Sequence, residues 1–216
     1  VVAPSRAILA GYPDKAGLLL EPAQTHDQAG LSHHGKDRQF EIVVPGTRAH
    51  LRDLSHIARG LAQFLRETPD ARLTTFLGED APRSLRDLGN ATHLRPMSWL
   101  EYRRFVAENR FHVALAPLLD TAINRARSMS KLHDHAGFGA AGLYSDREPF
   151  KGIIRPEASG LLLSDDPAHW LAALRRLRDD RSLALRLAHG GQSLSAQHGS
   201  LARVRAFWVD ALLLHP

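Results

Sequence analysis

The sequence predicts an α/β fold, a doubly wound parallel sheet closed by a helical C-terminal tail, and three observations lead there. From Gln39 onward short apolar runs alternate with longer helical patterns, as repeated strand-helix units around a parallel sheet require. Between the first two runs, Leu51, Leu54, Ile57, Ala58, Leu61, Phe64 and Leu65 recur at the helical period, which marks one core-facing stripe. The end of the chain carries Leu201, Val204, Phe207, Trp208, Ala211 and Leu212 on one face of a last helix.

Taken in order, residues 1–38 are mixed, glycine and histidine containing, with a short strand at 17–20 and no long amphipathic pattern. They are expected to be the end of a preceding domain and a linker, with residues 39–216 forming one domain. Strands are predicted at 40–44 (FEIVV), 72–77, 92–95, 111–116, 140–145 and 160–164. The first is followed by Pro45-Gly46-Thr47, where glycine permits a tight turn and Thr47 offers an N-cap oxygen to the helix beyond. Further helices are predicted at about 98–109, 122–137 and 167–179, and the tail reads helix, a break at Gly190-Gly191, then helix.

Composition narrows the function. The 216 residues are 44% hydrophobic and 24% charged, enough to bury a sizeable core. No run approaches the ~20 apolar residues of a membrane span, and the opening VVAPSRAILAGYPDK lacks the basic-then-apolar order of a signal peptide. The absence of cysteine excludes disulfides, thiol nucleophiles and cysteine zinc sites. The formal charge of +5 is spread over helix faces, as where Arg175, Arg176 and Arg178 stand beside Asp179 and Asp180. That is a solvated surface and not a nucleic-acid footprint. Thirteen histidines show no metal-ligand spacing, so no metal is expected, and no cofactor is expected either. Walker, nucleophile-elbow and His-Glu-x-x-His motifs are absent.

In an open parallel sheet, ligands bind beyond the carboxyl ends of the strands, where helix N-termini present free N–H groups. After the first strand, PGTRAHLRD (45–53) places Arg48 and His50 in the first helical turn. This arrangement suits a phosphate, and it equally suits a simple turn with a solvated arginine. After the fourth strand comes APLLDTAINRARSMSKLHDHAGFG (116–139). On one helix, Asn124, Ser128, Lys131 and His135 would form a nearly continuous polar face with Asp134 beside it, and Ala126, Met129, Leu132 and Ala136 would face the core. Lys131 could neutralise a diphosphate and Asp134 could accept bonds from sugar or ribose hydroxyls. The bland alternative is a solvated face.

Residues 40–190 resemble the C-terminal domain of family-4-like bacterial glycosyltransferases, the glycosyl transferases group 1. The features that carry the resemblance occur in order: GTRAHLRDL (46–54), LGE (77–79), WLEY (99–102), ALAPLLDTAINRARSMSK (114–131), DHAGFG (134–139) and SGLLLSDDPAHWLAAL (159–174). VVAPSRAILAGY (1–12) looks like the end of the preceding acceptor domain. The resemblance implies a Rossmann-like GT-B domain that binds a nucleotide diphosphate sugar and, with a missing N-terminal domain, transfers the sugar to a glycan or glycolipid. It also implies work in the cytoplasm, at the inner membrane face, with peripheral membrane association of the full-length protein.

Carried over by position, Gly46, Thr47 and Arg48 line the diphosphate, with His50 a further sugar or phosphate contact. Gly78 in the loop after Leu77 and the stretch His93 to Met97 border the base. Asn124, Ser128 and Lys131 approach the sugar or diphosphate, with Asn124 and Lys131 in the catalytic positions, and Asp134 the ribose. Trp99, Tyr102 and Trp170 read as packing residues. Retaining members carry two glutamates eight positions apart, and here those positions hold Ala126 and Asp134. Asn124 and Lys131 match an asparagine-lysine version of the segment. The lost glutamate also fits a catalytically inactive nucleotide-sugar-binding module with a regulatory or scaffolding role.

Overall fold

The structure, a computed structural model, describes residues 1–35 and 39–214. The chain starts with a two-strand parallel ribbon, β1 (Val2–Ala3) and β2 (Leu18–Leu19), joined through the short helix α1 (Arg6–Leu9). A second sheet follows with β3 (Phe40–Val44), β4 (Ala71–Thr75), β5 (Ala91–His93), β6 (Val113–Ala116), β7 (Ala141–Ser145) and β8 (Leu161–Leu163). Every predicted strand is present, all pairs are parallel, and the order is β5-β4-β3-β6-β7-β8. The chain steps outward from β3 in one direction and then returns to its other side at β6. The crevice between the carboxyl ends of β3 and β6 is therefore the topological switch point, where open α/β sheets bind ligands.

Helices cover both faces. On β3, Ile42 and Val44 join a core with α2 (Leu51–Glu67) and α7 (Pro167–Asp179), whereas Val43 points to α4 (Trp99–Glu108) and to Phe138 at the end of α6 (Ser130–Phe138). This alternation follows from the two-residue period of a strand. The predicted stripe of α2 is buried at Leu54, Ile57, Ala58, Leu61, Phe64 and Leu65. α4 begins with a capping box, in which Glu101 N–H donates to Ser98 Oγ and Ser98 N–H to the Glu101 carboxylate. The chain ends in α8 (Arg181–Gly199) and α9 (Leu201–Leu214). None of the described helices is long and apolar enough to cross a membrane.

Three expectations are corrected. The helix expected over 122–137 is two, α5 (Ala122–Arg125) and α6. The Ala126 carbonyl, which a continuous helix would bond to the N–H four residues on, instead accepts from Ser5 Oγ at 2.8 Å, and Met129 turns into the core. Gly190-Gly191 does not break the tail, for α8 runs through it. These glycines allow close approach instead, since a Cβ on Gly190 would stand 1.8 Å from the Ala158 carbonyl oxygen. Thr47 makes no side-chain cap, because a 3-10 turn at Arg48–His50 intervenes before α2.

Gly190→Ala must displace backbone, and it is expected to cost about 3 kcal/mol. Gly89→Ala, where a Cβ meets nothing within 4 Å, should lie within about 1 kcal/mol of the parent. Urea midpoints of the two variants check the contrast.

Residues 22–35 lie against the sheet domain. Gln24 N–H donates to the Gly199 carbonyl at 2.8 Å, and the Gln192 amide donates to the Ala29 carbonyl at 2.8 Å. His33 and His34 are buried, donating from Nε2 to the carbonyls of Phe111 and Gly139, both at 2.9 Å.

Candidate functional site

A cleft of about 530 Å³ opens at the switch point. Gly46 and Thr47, in the loop after β3, and Phe76, just beyond β4, form part of its lining. Met97, Trp99 and Tyr102 form one wall, Ser130, Lys131 and Asp134 of α6 another, and Pro22, Ala23 and Thr25 of the N-terminal segment close a third side. His50 lines this cleft and also an adjoining cavity of about 220 Å³ that contains Arg127, Ser128, Lys131 and Phe150.

The charges in the cleft are organised around Asp134. Lys131 Nζ donates to its Oδ2 at 2.9 Å, and His26 Nε2 lies 3.4 Å from Oδ1. Burial by itself would raise the Asp134 carboxyl, but the adjacent Lys131 ammonium and His26 outweigh it and hold the group well below the usual carboxylate range. The buried Tyr102 phenol is pushed upward by desolvation and by the Asp134 charge. Lys131 is thus a cation near the N-terminus of a nine-residue helix, partly exposed in a cleft, with its compensating carboxylate fixed behind it.

A second network lies beneath His50. Its Nδ1 is 3.3 Å from Asp53 Oδ2, and Asp53 Oδ1 accepts from Leu119 N–H at 2.9 Å and from the Asn124 amide at 2.8 Å. Asn124 Oδ1 accepts in turn from Arg127 Nε–H at 2.8 Å. Burial lowers the His50 pKa, Asp53 opposes the shift, and Lys131 and Arg127 add to it. Asp53, which burial would raise, is lowered by its three donors.

The structure brings Gly46, Thr47, His50, Lys131 and Asp134 together at the cleft, with Ser128 in the adjoining cavity. The expected polar face does not exist, because the break before α6 separates Asn124 and Ser128 from Lys131 and His135. Asn124 is 4% exposed and committed to Asp53, the Leu119 carbonyl and Arg127, while His135 is 1% exposed and stacked on Tyr144. Arg48 points outward into an exposed ion pair with Asp80, Nε to Oδ2 at 2.8 Å. Gly78 lies outside the lining and serves a left-handed backbone position, φ 53°, while His93 bonds Thr75. Gly46 has a role other than the predicted tight turn, since a Cβ there would press on the His50 ring at 3.2 Å.

Trp170 is buried, as expected, with Nε1–H donating to the Ser164 carbonyl. Trp99 and Tyr102 are more than packing residues, since both form cleft wall. Sequence reasoning missed Phe76, the N-terminal lining and His133, which also lines the cleft, and for these no local signal exists. Asp53 could have been found from its i+3 spacing to His50. Among the described residues, no group of three or more His, Asp or Glu is placed to hold a metal ion.

No family model and no curated protein sequence matches the chain. Solved structures do. A mutant of S. aureus TarM, in a complex with fondaparinux, alpha-GlcNAc-glycerol and UDP, superposes with a TM-score of 0.74 at 8% identity, over 97% of this chain and 43% of that one. Anabaena HepE in complex with UDP-glucose gives 0.73 at 11% identity, over 98% of this chain and 63% of that one. The C-terminal domain of the group 1 family glycosyl transferase LpcC from Francisella tularensis gives 0.60 at 12% identity, over 82% of this chain and 97% of that one. The fold is the Rossmann-like α/β fold of GT-B glycosyltransferases. The chain spans less than two thirds of TarM and of HepE, and nearly the whole of the LpcC domain.

Proposed function

We propose that this chain is the donor-binding half of a two-domain glycosyltransferase, which transfers a sugar from a nucleotide diphosphate sugar to a glycan or glycolipid acceptor. The observation that carries the proposal is Lys131, set at the switch-point cleft with Asp134 behind it. A diphosphate laid over Gly46, Thr47 and Ser130 meets this ammonium as a point charge at a helix N-terminus. The aromatic wall of Phe76, Trp99 and Tyr102 suits a base and ribose, with Asp134 as an acceptor for ribose hydroxyls. The cavity past His50, lined by Arg127 and Ser128, is the place for the sugar. The acceptor, and any catalytic base, come from a preceding domain across the cleft, at the inner face of the cytoplasmic membrane.

In this reading Asn124 leaves the catalytic set and becomes a support for Asp53 and His50. Arg48 is a rim charge. The main electrostatic task is to stabilise the departing diphosphate, and Lys131 supplies that charge without a divalent cation.

One observation favours a second reading, a binding module without transfer activity. Ala126 stands where the resemblance places a glutamate, and the Asn124 amide is turned away into the buried network. Donor binding by the full-length protein without hydrolysis or transfer would support that alternative.

The test is the thermal shift of the chain with UDP, GDP, dTDP, CMP and ADP. A ligand at 100 times its Kd stabilises by roughly 2.7 kcal/mol, or about 5–10 °C for a chain of this size. Selective stabilisation by one diphosphate is the expected result, and no shift with any of them counts against the donor-site reading.

A further inference from the structure

We propose that His50, oriented by Asp53, takes up a proton when a nucleotide diphosphate sugar binds, so that donor binding is coupled to protonation. The inference rests on the reading of the cleft as a donor site. His50 stands where the cleft and the adjoining cavity meet, with Lys131 lining both beside it. Its ring is packed on Gly46, where a side chain would crowd it at 3.2 Å.

The ring's two nitrogens have different surroundings. Nδ1 faces Asp53 Oδ2, and Asp53 cannot turn, because Leu119 N–H and the Asn124 amide hold its other oxygen. A carboxylate accepts, so Nδ1 carries the proton, and Nε2 is left with a lone pair and no hydrogen-bond partner among the described residues. Asp53 here holds an imidazole for its work, and Asn124 holds Asp53.

The charged groups that face the ring are Asp53 from α2, Lys131 from α6 and Arg127 from the turn between α5 and α6. Without ligand, the two cations and burial oppose an imidazolium. A diphosphate diester brings two negative charges against Lys131 and Arg127, and it offers phosphate oxygens as acceptors. Both effects favour a proton on Nε2, which then donates to the phosphate while Asp53 accepts from Nδ1. As binding favours the protonated ring, affinity falls as pH rises.

The experiment is isothermal titration calorimetry with UDP-glucose, or the corresponding glucose nucleotide of whichever base stabilises the chain, because such a diester has no proton of its own to gain near neutrality. Titrations run from pH 6.5 to 8.5 in two buffers of different ionisation enthalpy. The expected result is uptake of up to one proton, and a Kd that rises up to tenfold per pH unit across part of this range. His50→Gln, which keeps a hydrogen bond without a titratable group, should abolish both effects and still bind. Binding of the parent with equal heats in both buffers and a flat pH profile overturns the coupling alone. A parent profile that survives in His50→Gln assigns the proton to another group and overturns it too. Failure of every nucleotide sugar to bind at any pH overturns the donor-site reading together with it.

Discussion

Lowering the pH from 7 to 5 is expected to unfold the chain, with an acid midpoint near pH 5. The cause is a set of buried neutral histidines, three of them in tautomers fixed by hydrogen-bond partners. His33 and His34 donate from Nε2 to backbone carbonyls, so each Nδ1 is a bare lone pair, buried without a partner. His112 accepts the Glu41 N–H on Nδ1 at 3.0 Å, and a proton there would set two N–H groups against each other. These three rings lie within 5.4 Å of one another, centroid to centroid. His135 has no partner on either nitrogen. Burial pushes His34 down to about 4, and His112 and His135 down to about 3, with Arg181 adding to the shift at His34 and His112.

Each folded value lies below the unfolded value near 6.5, so the unfolded chain binds more protons between the two. Stability is complete above about pH 6.5 and falls as pH drops toward 4. Each pH unit costs roughly 1 kcal/mol or more per histidine, so His34, His112 and His135 together cost about 5 kcal/mol by pH 5, comparable with the whole stability of many domains. Acid titration followed by far-ultraviolet circular dichroism checks this. His34→Gln, whose amide can still donate to Gly139, should move the midpoint to lower pH. A parent midpoint below pH 4 would place the transition on carboxylates and sink the prediction.

These histidines show what a sequence conveys and what it leaves out. The sheet was legible because burial on both faces gives continuous apolar runs such as FEIVV, and α2 because seven apolar residues repeat at one period. The break before α6 was not legible. Its cause is a hydroxyl 121 positions away, Ser5, which captures the Ala126 carbonyl. The role of Gly190 was misread for a similar reason, because the backbone it must approach, at Ala158, is distant in sequence. In the site, Lys131 and Asp134 were readable as neighbours on one turn, i and i+3. The commitment of Asn124 to Asp53 was not, for it depends on how the loop after β6 packs onto α2. Local chemistry marked the loops, and tertiary packing decided which side chains reached the cleft.

Lys131→Ala is expected to weaken donor binding by about 100-fold, roughly 2.7 kcal/mol, and also to destabilise the fold by about 2–3 kcal/mol. The two losses have different origins. On the donor-site reading, binding loses its principal point charge beside the diphosphate. Folding loses the counterion of Asp134, whose side chain is only 12% exposed and is left, among the described residues, with His26 at 3.4 Å and the neighbouring Tyr102 phenol. With the ammonium gone, desolvation dominates and the Asp134 carboxyl shifts upward. Asp134→Asn added to Lys131→Ala removes the stranded charge, so the double variant should regain most of the lost melting temperature and none of the charge attraction. Lys131→Arg keeps a cation but changes its shape, and it should hold the fold while recovering only part of the affinity. Calorimetry of binding and thermal melts on all three variants separate the two effects. Unchanged donor affinity in a folded Lys131→Ala would remove Lys131 from the diphosphate site, and with it the observation on which the donor-site reading stands.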